Sequence, residues 1–113
     1  MDKKHTNAQP NLQGVRLWNQ GDILGAERSF LASIEQNPEN DSGYGFLTGF
    51  YLEQGELEKA RSILKKWKEH TQLQFKASYH MMWTRLFSLE HNKQDAFLHL
   101  KAAIDAGFDN SDI

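Results

Sequence analysis

The chain has 113 residues, enough for one domain or a short array of smaller units, and it contains no cysteine. The lack of cysteine excludes disulfide frameworks, thiolate zinc sites and cysteine nucleophiles. Its 13 basic and 15 acidic side chains give a net charge of −2, which is not the electrostatic signature of a nucleic-acid or anionic-membrane surface.

Helical spacing interrupted by short polar turns recurs along the chain, and no strand-type alternation is sustained. We therefore predict an all-α fold between two polar tails, at 1–7 and 108–113. The predicted helices span residues 8–20, 23–36, 42–54, 57–69, 76–90 and 93–106. Asp41 or Ser42 is predicted to cap the third helix.

The N-terminus is polar and leads into no apolar run, and no apolar stretch reaches membrane-spanning length. We therefore expect a cytoplasmic protein with no membrane partner.

A turn motif repeats at a fixed distance. Asn19-Gln20-Gly21-Asp22 resembles Glu53-Gln54-Gly55-Glu56, and the two glycines are 34 residues apart (55 − 21). Either glycine can supply the positive φ that ends a helix. Small residues recur around the turns at 14, 48 and 84 and at 26, 60 and 96, and large apolar residues recur at 17, 51 and 87 and at 30, 64 and 100. We interpret each unit as two helices in close contact at the small residues.

This pattern resembles the tetratricopeptide repeat. The first unit carries the resemblance in Gly14, Leu17, Gly21, Ala26, Phe30 and Pro38, and the second in Tyr44, Leu47, Tyr51, Gly55, Ala60 and Leu64. The third has His91 in place of the turn glycine. The resemblance covers 8–107, in units of about 8–40, 41–75 and 76–107. It implies a right-handed α-solenoid whose first helices line a concave groove that binds peptides or helices.

By this resemblance, the groove is lined by Asn11, Val15, Trp18, Gly45, Gly49, Leu52, Met81 and Arg85. Only Asn11 and Arg85 suit a carboxylate, so we do not expect the acidic chaperone tails that some family members bind. Gly45 and Gly49 share a helical face, which suits close approach of a partner's backbone or apolar helix. The alternative is that the glycines only let neighbouring helices pack tightly. Trp67 and Trp83 are predicted to lie in the core between units.

No arrangement of nucleophile and base or of metal ligands is recognisable, so we predict no enzyme, no catalytic residue, no cofactor and no metal site. His91, Asp95 and His99 are spaced by four and fall on one helical face, but we expect that face to be solvated. The basic residues of helix 57–69 are interspersed with glutamates. We therefore expect no nucleic-acid partner.

The expected function is a protein-interaction module with a scaffold, adaptor or co-chaperone-like role. The alternative is a structural, self-associating repeat fragment of a larger assembly or longer chain. The solubilising helix that such arrays usually place after the last unit is not evident before Ile113. A truncated fragment, capping by oligomerisation and a third unit that caps itself all remain open explanations.

Overall fold

The computed structural model describes residues 9–107, so both predicted tails lie outside the described residues. Six helices follow one another: α1 Gln9–Asn19, α2 Ile23–Gln36, α3 Asp41–Gln54, α4 Leu57–His70, α5 Lys76–Leu89 and α6 Lys93–Asp105. No strand occurs between residues 9 and 107. The all-α prediction is confirmed.

The turns inside the three units share one backbone feature. Gly21 and Gly55 have φ values of 87° and 77°, as predicted, and His91 adopts the same left-handed conformation at 63°. Gly55 is also the C-cap of α3. Left-handed backbone is inexpensive for glycine but costs a residue with a Cβ, so the third turn keeps the geometry at an energetic cost.

The cap predicted for the third helix is wrong. Asn40 is the N-cap of α3, and its side-chain oxygen accepts a hydrogen bond of 2.8 Å from the Ser42 backbone N–H. Asp41 is the first helical residue instead, and its carboxylate accepts a hydrogen bond from the Trp67 indole. A capping role would have turned that carboxylate back towards its own helix.

The small residues hold paired helices close together. A Cβ added to Gly14 would lie 2.5 Å from a ring carbon of Phe30, which is not a permitted contact. Ala26 and Ala60 are fully buried, and Ala96 is nearly so. The most extensive helix contacts accordingly join α1 with α2, α3 with α4, and α5 with α6.

The core runs through α3 and its neighbours. Tyr44, Leu47 and Phe50 of α3 are almost fully buried. Trp67 and Trp83 are 1% and 8% exposed, which confirms their predicted place in the core. Two buried tyrosine hydroxyls have partners: Tyr44 donates to the Pro38 carbonyl at 2.7 Å, and Tyr51 donates to the Glu27 carboxylate at 2.6 Å. Aromatic side chains with one polar end therefore fill much of the space between units.

Candidate functional site

The three glycines of α3 have different surroundings. A Cβ added to Gly43 would lie 2.9 Å from Ile34 Cγ1, so Gly43 allows α2 and α3 to pack closely. A Cβ at Gly45 would meet the Trp67 ring edge at 3.4 Å, and one at Gly49 would meet Met82 Cε at 3.6 Å. These are contacts that a side chain could make, so packing does not require glycine at 45 or 49. Both residues are only partly buried.

Gly45 lies in a cavity of about 270 Å³ between α3 and α5, which we call the apolar pocket. It is lined by Asp41, Ser42, Gly45, Phe46, Trp67, Phe75, Ser78 and Met82. Phe46 and Phe75 are 42% and 55% exposed, which is high for phenylalanine next to a concave surface. The edge of the Trp67 ring forms part of the cavity wall next to Gly45, and only 1% of Trp67 is exposed to solvent.

The Asp41 carboxylate holds two residues of the pocket lining, Trp67 and Phe75, in position. Its Oδ2 accepts a hydrogen bond of 2.7 Å from Trp67 Nε1 and a longer one of 3.4 Å from the Phe75 backbone N–H. The first bond orients the indole, and the second positions the connection that carries Phe75. The Thr71 hydroxyl supports the same connection, because it donates to the Trp67 carbonyl and accepts from the Leu73 N–H.

The sequence profile of the tetratricopeptide repeat matches residues 17–82, more than half of the chain. The chain belongs to the tetratricopeptide repeat family. All eight residues that line the apolar pocket lie inside the matched segment. No curated protein sequence matches the chain at a significant level. Tetratricopeptide repeats are in general protein-interaction modules.

In this tetratricopeptide repeat, the predicted groove residues of the first unit pack inward. Trp18 is half-buried and meets the rings of Phe30 and Phe50 edge-on, with centroids 6.2 and 5.2 Å apart. Val15 packs against the core, and Asn11 is buried. The structure does not bring these side chains into the apolar pocket.

The predicted groove residues of the second and third units differ from one another in their surroundings. Gly45 lines the pocket and Gly49 lies next to Met82, whereas Leu52 is only 4% exposed and belongs to the core. Arg85 is half-exposed, and its guanidinium lies 3.5 Å from a Glu53 carboxylate oxygen. Met81 is half-buried one turn before Arg85.

Phe46, Phe75 and Asp41 were not predicted as site residues. Phe75 had a detectable signal, because it is a large apolar residue in the mainly polar connection between two predicted helices. Phe46 had no such signal, since an apolar residue within a helix is usually a core residue. In the structure its ring stacks on that of Phe30, with centroids 5.8 Å apart.

The histidine face of α6 is arranged differently from a metal site. His99 Nδ1 lies 2.9 Å from His80 Nδ1 of α5, and Asp95 accepts a hydrogen bond from the Asn92 amide instead. Burial is the main cause that lowers the pKa of both His80 and His99. Within residues 9–107, no group of three or more histidine, aspartate or glutamate side chains is placed to hold a metal ion.

The basic helix α4 uses part of its charge within the protein. Arg61 pairs with Glu90, and its guanidinium lies 5.8 Å from the centre of the Trp83 ring. Lys59 Nζ is 3.8 Å from a Glu27 carboxylate oxygen.

None of the helices between residues 9 and 107 is long and apolar enough to cross a membrane.

Proposed function

We propose that this protein binds a peptide or helix of a partner protein along α3 and α5, with one apolar side chain of the partner in the apolar pocket. The observation that supports the proposal is the pocket itself. It brings two exposed phenylalanines, Phe46 and Phe75, together at a cavity whose wall includes Gly45 and the buried ring of Trp67. Concave, mainly apolar cavities with a few polar groups are the usual sites of ligand binding.

The geometry favours one anchor side chain over a long apolar contact. The pocket volume of about 270 Å³ suits a single leucine, methionine or aromatic side chain. Next to it, Gly49 leaves space on α3 for the partner's backbone, and the Glu53–Arg85 pair bounds that space. A central anchor surrounded by weaker contacts is the usual distribution of binding energy in protein interfaces.

The test begins with peptides selected from a displayed random library on the immobilised full chain. Their affinities are then measured in solution by fluorescence anisotropy. Phe75→Ala should weaken binding by about 2 kcal/mol, the usual strength of an anchor contact. Phe97→Ala is the matched control, because Phe97 is 60% exposed but lies on α6. Equal effects of the two substitutions would contradict the proposed site.

Gly45→Gln is a second test of the same pocket. Its side chain would occupy the cavity, and glutamine favours helix over glycine by roughly 0.5–1 kcal/mol. We expect loss of peptide binding with little change in the melting temperature. A variant that unfolds would instead show that Gly45 serves packing, and the Phe75→Ala titration would then decide the site.

A second candidate function, self-association, rests on a different surface. Phe97, Leu98 and Ile104 of α6 are each about half exposed or more, and no element within residues 9–107 covers them. Light scattering over a range of concentrations tests it. A dimer that Phe97→Glu abolishes would support this function, and a monomer at all concentrations would exclude it.

A further inference from the structure

A second cavity adjoins the apolar pocket and has the opposite chemistry. We call it the polar cavity. It measures about 520 Å³ and is lined by Glu39, Asp41, His70, Thr71, Gln72 and Gln74. Asp41 lines both cavities, so a peptide with one side chain in the apolar pocket can place a neighbouring side chain in the polar cavity. The two cavities form one bipartite surface at the junction of the second and third units.

The charges around the polar cavity are unbalanced. Glu39 and Asp41 supply two carboxylates, and no lysine or arginine is among its described lining residues. Neither carboxylate forms an ion pair with a described residue. Lys76 follows Phe75 in the chain but lines neither cavity. The one basic side chain among the described lining residues is His70, which is exposed.

Asp41 makes this imbalance energetically important. The residue is 4% exposed and lies in the first turn of α3, so its carboxylate is stabilised by the helix N-terminus and by the Trp67 and Phe75 N–H groups, but by no charged side chain among the described residues. Removing a carboxylate from water is costly unless a cation or several hydrogen bonds compensate it. A cation that arrives with the ligand would supply part of that compensation.

We propose that the partner segment carries a basic residue directly beside its apolar anchor, and that this residue enters the polar cavity. Arginine fits better than lysine, because its planar guanidinium can bind a carboxylate and still donate to the side-chain oxygens of Thr71, Gln72 or Gln74. This inference rests on the proposed function and adds the charge of the ligand to it.

The experiment uses synthetic peptides that place phenylalanine next to arginine, lysine, citrulline or glutamate, in both orders, within one neutral sequence. Citrulline keeps the shape of arginine without its charge. Binding to the full chain is measured by fluorescence anisotropy at low and high salt. The arginine peptide should bind roughly tenfold more tightly than the citrulline peptide, the size of a charged hydrogen bond. The glutamate peptide should bind most weakly.

Variants of the protein locate the effect. Glu39→Gln removes an exposed carboxylate and should reduce the preference for arginine over citrulline severalfold without changing the melting temperature. Asp41→Asn keeps an acceptor for Trp67 and should reduce the preference further. Glu35→Gln is the control, because Glu35 is exposed on α2 and lines neither cavity. If Asp41→Asn does not fold, Glu39→Gln and the salt dependence carry the test.

The outcomes separate this inference from the function beneath it. Equal binding of the arginine and citrulline peptides would overturn the inference while leaving the apolar anchor standing. An arginine preference that both Glu39→Gln and Asp41→Asn leave unchanged would also overturn it, since residues outside the polar cavity would then bind the charge. If no peptide binds, and library selection also returns none, the proposed function itself fails.

Discussion

The second and third units have helices of nearly equal length but are stabilised by different chemistry. Eight residues of α3 are buried, against three of α5, and α3 supplies more of the apolar core than any other helix between residues 9 and 107. The third unit relies instead on aromatic rings with polar neighbours: His99 stacks on Trp83 and Phe87, and Arg61 lies over the same rings. The comparison teaches that a repeat can keep the same backbone geometry with fewer buried apolar residues when stacked and hydrogen-bonded side chains contribute to its packing.

The largest expected contrast comes from overpacking the two helix pairs. Ala60→Leu should destabilise the protein by roughly 1–3 kcal/mol, because Ala60 is fully buried between α4 and its neighbours. Ala96→Leu should cost less, since Ala96 is 8% exposed whereas Ala60 is fully buried. Denaturant unfolding of both variants measures the difference. Equal and negligible effects would show that these alanines are not close-contact positions.

A smaller effect is expected at the turns. Gly55→Ala should cost about 1 kcal/mol, because the left-handed backbone at φ 77° disfavours a Cβ. His91→Gly should stabilise the protein by up to about 1 kcal/mol, since it relieves the same conformation at φ 63°. Thermal unfolding of the two variants tests the pair. Destabilisation by His91→Gly would show that the imidazole contributes a compensating contact.

The smallest effect is a pH dependence confined to the third unit. Because the pKa values of His80 and His99 are lower in the folded than in the unfolded chain, their contribution is fully present above pH 6.5. It is lost as the pH falls below 6.5 towards the folded values, where protonation breaks the bond between the imidazoles. The charges that face the pair are Lys68, Lys76 and Asp95.

Melting temperatures on both sides of pH 6.5 measure this dependence. His99→Gln should flatten it, because a glutamine stays neutral throughout, and His70→Gln should not, because His70 is exposed and lies outside the pair. A slope that His99→Gln leaves intact would assign the pH dependence to other groups.

The fold could be predicted because its signals are local. Helical spacing, the glycines at the turns and the recurring small residues placed the helix ends from Asn19 onwards within one residue of their observed positions, while the predicted start at residue 8 lies outside the described residues. The capping prediction failed because a contact with a residue distant in the chain outweighed the local capping preference of the side chain. Asp41 has a side chain suited to capping, but its carboxylate binds Trp67, which is 26 residues away in the chain.

The site was less predictable for the same reason. Gly45 stood out because glycine in a helix interior needs a cause, and it does line the apolar pocket. Phe75 reaches the pocket through a hydrogen bond between residues 34 positions apart, and no short window of sequence reveals such a contact. Leu52 has the periodicity of a groove residue, yet it is buried, because neighbouring helices cover that part of α3.

The position of Trp67 makes the protein its own optical probe. One edge of the indole faces the apolar pocket next to Gly45, while its N–H is held by the Asp41 carboxylate. Because Trp67 is only 1% exposed, a ligand in the pocket would change the packing and polarity around the ring, and its fluorescence should shift without an added label. The other two tryptophans, Trp18 and Trp83, lie outside the pocket lining and can be replaced by phenylalanine to remove their background. Occupancy could then be followed in a stopped-flow instrument from the earliest encounter with a ligand.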